Sequence, residues 1–248
     1  MRQQIGLNIP FTTTMKVLIG LNLGIWLLGQ VILGSYFEIR ISDYLALFPG
    51  KVLLDGAVWQ LGTYMFLHTL QVSHVVLNML MLWFMGAELE QTWGRRFFLT
   101  YYFATGIGAA VLYTLAVWLH AAMTGSSQNL VIPVVGASGA IFGLMLAYGI
   151  LFGERTIHFM MLFPMKAKYF VMILAAIEIV SLLTNGVGGG EVANLAHLGG
   201  LVSGYLTLTT ATFLKRRQNS RKTKKKGPQL RLVVDNDKKK PKDPQYWH

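Results

Sequence analysis

The chain has 248 residues, 53% of them hydrophobic and 13% charged, with a formal net charge of +11 and no cysteine. Soluble domains usually carry about 25% charged residues, so this composition excludes an ordinary water-soluble globule. The missing cysteine excludes disulfides, a thiol nucleophile and thiolate metal ligands.

Apolar runs of about twenty residues mark membrane-spanning helices. The first covers residues 15–37 and is interrupted only by Lys16, Asn22 and Gln30. Its length, with no small-residue cleavage site, predicts an uncleaved anchor. A mixed segment follows to residue 62, with Glu38, Arg40, Asp43, Lys51 and Asp55. Further spans are expected over 65–86, 97–123, 138–153, 169–183 and 192–214, the fourth being short. The expected fold class is an all-α polytopic membrane protein, a six-helix bundle. Residues 1–14 form a short leading segment, 15–214 the membrane domain and 215–248 a tail. That tail holds thirteen Lys or Arg and three prolines, has no sustained apolar period, and is expected to be disordered. Its cations would be drawn to anionic lipids at roughly 1 kcal/mol per nearby charge. Nucleic-acid binding is not expected of a tail tethered to a membrane.

Charge sets the orientation. Lys and Arg outside the spans collect at Arg95, Arg96, Arg155, Lys166, Lys168 and in the tail, with only Arg40 and Lys51 on the other side. Cytoplasmic loops carry an excess of such residues, so both termini are expected in the cytoplasm. Helices two, four and six then all start at the outer face.

Three of those starts carry polar side chains. Ser138 opens the fourth span within Gly136-Ala137-Ser138-Gly139, and His197 lies about a turn into the sixth within Ala196-His197-Leu198-Gly199-Gly200. His74 and Asn78 sit toward the outer end of the second, four apart and therefore on one helical face. The four groups are expected at a similar depth, facing the bundle interior or a wet cavity. The first backbone N–H groups of a helix lack partners and lie at the positive end of its dipole, which suits an oxyanion forming beside Ser138. The Asn78 amide and His74 imidazole add donors there, each worth roughly 3 kcal/mol when well aimed. A serine and a histidine placed this way point to hydrolysis inside the membrane. Gly139 with Gly143, and Gly200 with Gly204, show the small-residue spacing of close helix packing, within one chain or between two. Glu178 interrupts the fifth span and is expected to make a buried hydrogen bond that holds that helix. No third strong ligand accompanies His74 and His197, so no metal and no cofactor are expected.

The pattern resembles the rhomboid family of intramembrane serine proteases. The resemblance rests on Gly136-Ala137-Ser138-Gly139, on His74 with Asn78, on Ala196-His197-Leu198-Gly199-Gly200, and on the flanking Trp59-Gln60-Leu61, Gly86, Glu90 and Gly94. It implies that Ser138 is the nucleophile and that His197 is the general base, then the acid to the leaving amine. Asn78, His74 and the Ser138 backbone N–H would form the oxyanion hole, and Phe142 stands where an aromatic ring packs on the histidine. Gly136 and Gly139 support the serine. No acid is seen at the place of a third triad member, so a Ser–His dyad is expected. Two positions depart from the family: His68 precedes His74 by six residues where five is commoner, and Gln60 stands where an arginine often follows the tryptophan.

The implied substrates are transmembrane segments of other membrane proteins, cut near their outer end after sideways access between helices two and five. The glycine-rich stretch 185–190 would let helix five tilt. Water is expected to reach Ser138 through an outward-facing cavity, because the fourth helix spans only about 24 Å at the helical rise against a hydrocarbon core of roughly 30 Å. The basic interior suggests a bacterial cytoplasmic membrane. One rival is a catalytically inactive rhomboid-like chaperone or trafficking factor, which would typically lack the serine or the histidine. Another is a transporter, which needs polar groups along a path through both leaflets and commonly an inverted repeat.

Overall fold

The computed structural model describes residues 10–159, 163–185 and 193–225. The chain divides into two compact units, Met1–Thr210 and Ala211–His248. Among the described residues, four helices are long and apolar enough to cross a membrane: α1 (Thr13–Tyr36), α2 (Val72–Trp93), α3 (Arg95–Thr124) and, over Ala167–Thr184, most of α5 (Ala167–Asn185). Helix α4 (Ser138–Leu151) is apolar but shorter. Helix α6 (Ala193–Lys225) is the longest, and Asn194, His197 and several glycines and threonines dilute its apolar character.

Helix α1 starts at Thr12, whose side chain accepts the Met15 N–H at 3.2 Å. Thr12 and Thr14 both donate to the Glu90 carboxylate, Thr12 at 2.5 Å, so the foot of α1 is pinned to the far end of α2. Residues Ile25–Leu33 are wound as a π-helix, a rare form often found at functional sites. Within it, Trp26 donates to the Thr69 carbonyl at 2.9 Å, and the Gln30 amide pairs both ways with the His68 backbone, at 2.5 and 2.7 Å. The polar interruption in the first span thus holds the segment that leads into α2.

That segment explains why the second helix starts late. The second helix begins at Val72, seven residues later than the hydropathy of Met65, Phe66 and Leu67 suggests. Tyr64–Phe66 form a 3-10 turn and Leu67 is extended, while Tyr64, Met65, Leu67 and His68 are all buried. This is apolar sequence buried as irregular chain. The helix runs on to Trp93 because Glu88 and Glu90 are both engaged: Glu88 accepts from Tyr148 at 2.8 Å and pairs with Arg155. Gly94, at φ +79°, then turns the chain into α3.

Between α1 and α2, short helices at Ser42–Leu45, Pro49–Leu54 and Gln60–Thr63 build a compact segment. Gln60, the departure from the family pattern, is its buried tie: it accepts the Phe48 N–H at 3.0 Å and donates to the Tyr44 carbonyl at 3.2 Å. Leu47 forms an isolated antiparallel bridge with Val134, which fixes this segment against the approach to Ser138.

The all-α expectation needs one correction. Strands β1 (Thr156–Phe159) and β2 (Phe163–Lys166) form an antiparallel hairpin, with Thr156 opposite Lys166 and Ile157 opposite Met165. Branched and aromatic side chains favour a strand here, and Pro164 cannot continue a helix. Lys166 and Lys168 both pair with Glu154 and hold its carboxyl down to about 2.

Helix α4 is the centre of the membrane unit, packed by α2, α3 and α5. Its contact with α3 is set by small residues and buried tyrosines: a side chain at Gly143 would meet Thr105 within 3.0 Å, and Tyr101 donates to the Gly143 carbonyl at 2.8 Å. Tyr64 donates to the Gly106 carbonyl at 2.8 Å. Both tyrosines are buried to within 1%, so each hydroxyl needs such a partner. The outward faces carry exposed Val76, Leu80, Ile107, Leu115, Trp118, Ile173, Ile177, Val202 and Leu206. Apolar exteriors of that extent belong against lipid.

The second unit begins inside α6. The helix does not stop at residue 214 but continues to Lys225, so the first eleven tail residues are helical where disorder is expected. Lys, Arg and Gln are good helix formers, and an established helix propagates readily. The rest of the tail, 226–248, lies outside the described residues.

Candidate active site

Three helix starts converge. Ser138 is the first residue of α4, His74 the third of α2 and His197 the fifth of α6. Ser138 Oγ and His197 Nε2 are 2.8 Å apart, at hydrogen-bond distance. The Phe142 ring, one turn along α4, stacks on the imidazole with centroids 4.3 Å apart and planes 11° from parallel. The other ring nitrogen, Nδ1, lies 2.9 Å from Glu178 Oε1 on α5.

Close approach of α6 to α4 makes this contact possible. A side chain at Gly200, one turn after His197, would sit 2.0 Å from the Gly139 carbonyl oxygen. A side chain at Gly204 would meet the Gly143 Cα at 2.9 Å. Both small-residue pairs expected from the sequence therefore face each other, and the packing lies within one chain.

The space beside Ser138 is bounded by α2. Thr69 donates its backbone N–H to His74 Nδ1 at 3.2 Å, with its hydroxyl 3.0 Å away. A neutral imidazole that accepts at Nδ1 carries its proton on Nε2, which makes His74 Nε2 a donor. Gly136 turns the chain at φ +128°, a region that favours glycine. The point where its side chain would begin is 3.2 Å from His74 Nε2 and 3.5 Å from Ser138 Oγ. Glycine thus leaves open a small volume flanked by a donor and by the serine. Asn78 is buried and gives one amide N–H to the His74 carbonyl at 2.8 Å, which leaves its second N–H available.

His68 does not join this group directly. It is fully buried with its ring 5.3 Å from that of His74, so it packs behind the site. Among the described residues no cluster of three or more His, Asp or Glu gathers that could hold a metal ion. The glycine-rich stretch expected to let helix five tilt falls mostly on 186–190, outside the described residues.

Glu178 is the site residue whose position the sequence reading missed. The expectation of a buried hydrogen bond is met, but the partner is His197 itself, where no acid was expected. Its one sequence signal was a carboxylate inside an apolar helix, usually functional. Pairing it with His197 required the spatial alignment of α5 and α6, which spacing along the chain does not contain.

A helical membrane protein carrying a serine–histidine pair at converging helix starts defines the class. The family model described as "Rhomboid domain" matches residues 55–213, and the chain belongs to the rhomboid family. Its relatives include "RHOMBOID-like protein 12, mitochondrial" of Arabidopsis thaliana, 28% identical over 59% of this chain and 44% of that protein. The "Rhomboid protease AarA" of Providencia stuartii is 31% identical over 71% of this chain and 65% of that protein. The "Rhomboid-like protein 16, chloroplastic" of Arabidopsis thaliana is 26% identical over 68% of this chain and 59% of that protein. The chain thus spans less than two thirds of the length of each of these relatives. Their names place them in organelles as well as in a bacterium, so an integral membrane protein is supported and the expected bacterial cytoplasmic membrane is not.

Proposed function

We propose that this protein is an intramembrane serine endopeptidase that cleaves transmembrane segments of other membrane proteins. The observation that carries the reading is the 2.8 Å contact between Ser138 Oγ and His197 Nε2 at the start of a central helix. In this reading His197 takes the Ser138 proton as Oγ attacks the peptide carbonyl. The resulting oxyanion sits beside the Ser138 backbone N–H, His74 Nε2 and the free Asn78 N–H. His197 then passes the proton to the leaving amine, and water hydrolyses the acyl-enzyme by the same route reversed. Each aimed donor contributes roughly 3 kcal/mol to the transition state.

The membrane arrangement is six spans with both termini cytoplasmic, α6 crossing despite its polar residues and α4 reaching only part of the way. Fourteen residues of α4 extend about 21 Å, short of the roughly 30 Å core. A cavity open to the outer face then brings water to Ser138. Substrate arrives sideways past α5, which packs on α4 and β2 rather than on α2. Ile173, Ile177 and Val180 form an exposed apolar face on α5, which suits a transmembrane segment at the point of arrival.

A protease acts on extended backbone, and the peptide bonds of a helix are shielded. Reporters with two or three Gly near the outer end of their span are therefore expected to be cut at least roughly tenfold faster than an all-leucine counterpart, since those glycines cost a helix about 2–3 kcal/mol. Equal rates across such a series, in vesicles, would remove the requirement for local unwinding.

A further inference from the structure

We infer that Glu178 is a positioning residue that completes a Ser138–His197–Glu178 triad, holding His197 in the tautomer whose Nε2 accepts the serine proton. The inference rests on the hydrolase reading above. One imidazole bridges two partners through its two nitrogens: Nδ1 to Glu178 Oε1 at 2.9 Å and Nε2 to Ser138 Oγ at 2.8 Å. An ionised carboxylate only accepts hydrogen bonds, so the ring proton belongs on Nδ1 and Nε2 is left as the base. Stacking on Phe142 fixes the plane of the ring, and the carboxylate fixes its rotation within that plane.

A purely structural clamp explains less. The Glu178 and His197 side chains are only 12% and 17% exposed, and Glu178 Oε2 is buried with no hydrogen bond among the described residues. A half-satisfied buried carboxylate is costly to a fold. The same two helices already have a neutral tie nearby, since Asn194 on α6 donates to Ser181 on α5 at 2.5 Å. Both residues lie three positions from the charged pair. Joining α5 to α6 therefore does not require an acid, whereas a carboxylate on Nδ1 both orients the base and opposes its later positive charge.

During acylation the Oγ–H proton moves to Nε2 while Oγ bonds to the substrate carbonyl carbon. The imidazolium so formed keeps its Nδ1–H, which donates to Glu178, and the carboxylate opposes the new positive charge without taking a proton. As the C–N bond breaks, the Nε2 proton leaves with the amine nitrogen. Water then attacks the ester carbon, gives its proton to Nε2, and Ser138 recovers it.

The test compares Glu178→Gln and Glu178→Asp with the wild type, each as the full chain in lipid vesicles. The readouts are kcat and KM for a transmembrane reporter, the melting temperature, and ¹⁵N shifts of labelled histidine that report which His197 nitrogen is protonated. Glutamine offers Nδ1 a donor as readily as an acceptor. It should lower kcat by a factor on the order of 10² to 10⁴, leave KM and melting temperature near wild type, and move proton density from Nδ1 to Nε2. Aspartate, one methylene shorter but acidic, should restore the Nδ1 tautomer and part of kcat. Wild-type kcat in Glu178→Gln, or a lowered melting temperature with the tautomer unchanged, would overturn the inference. If the wild type neither cleaves nor reacts at Ser138, the hydrolase reading fails, and the tautomer shift alone still decides whether Glu178 orients His197.

Discussion

Ser138→Ala should abolish cleavage of a transmembrane reporter while leaving the protein folded. Removing the nucleophile of a base-activated serine hydrolase costs on the order of 10⁶ in kcat, about as much as removing its histidine base. Folding should be nearly indifferent. Ser138 is half-buried, and among the described residues its hydroxyl hydrogen-bonds only His197 Nε2. Alanine is also the best helix former. The measurement is reporter turnover in vesicles together with the melting temperature. Residual turnover above about one thousandth of wild type, with the fold intact, would show that Oγ is not the attacking atom.

Gly200→Ala should be the most damaging substitution that touches neither the serine nor the histidine. The added methyl would lie 2.0 Å from the Gly139 carbonyl oxygen, 2.9 Å from its carbon and 3.2 Å from its Cα. All three atoms are backbone, so no side chain can rotate away and the two helices must separate. Overpacking usually costs about 1–3 kcal/mol, and a contact without soft neighbours belongs at the upper end. The effect on chemistry is larger. His197 lies one turn before Gly200, and a displacement near 1 Å can cost about 100-fold in rate. Reporter cleavage should fall by at least that factor, with a lowered melting temperature. A control at Gly20 of α1, where an added side chain meets nothing within 4 Å, should leave both unchanged. A Gly200→Ala protein as active and stable as that control would contradict the close α4–α6 packing.

What the sequence makes legible follows from what is periodic or apolar in it. The starts of α1, α3 and α4 agree with hydropathy within two residues because lipid demands apolar side chains along the whole helix. The start of α2 does not, because Met65–Leu67 are buried as irregular chain, and hydropathy reads burial rather than conformation. Residue 214 was expected to end α6 for a related reason: the apolar stretch ends there, but the helix, which water tolerates well in Lys- and Arg-rich sequence, does not. The hairpin at Thr156–Lys166 is too short to generate a period. At the candidate site, the approach of Ser138 to His197 and of Phe142 to the imidazole agrees with the depth and spacing read along the chain, while the roles of these residues and of His74 and Asn78 are proposals. The tautomer of His74, set by Thr69, was not readable, nor was the partner of Glu178. Both are contacts between segments whose approach depends on the packing of the whole bundle.

The most direct test of the central claim is to expose the wild-type protein in lipid vesicles to a fluorophosphonate and locate the adduct by peptide mass spectrometry. Phosphonylation of Ser138, lost when His197 is replaced by alanine, is the predicted result. An adduct on another serine, or none on Ser138 in a preparation that cleaves a transmembrane reporter, would contradict it.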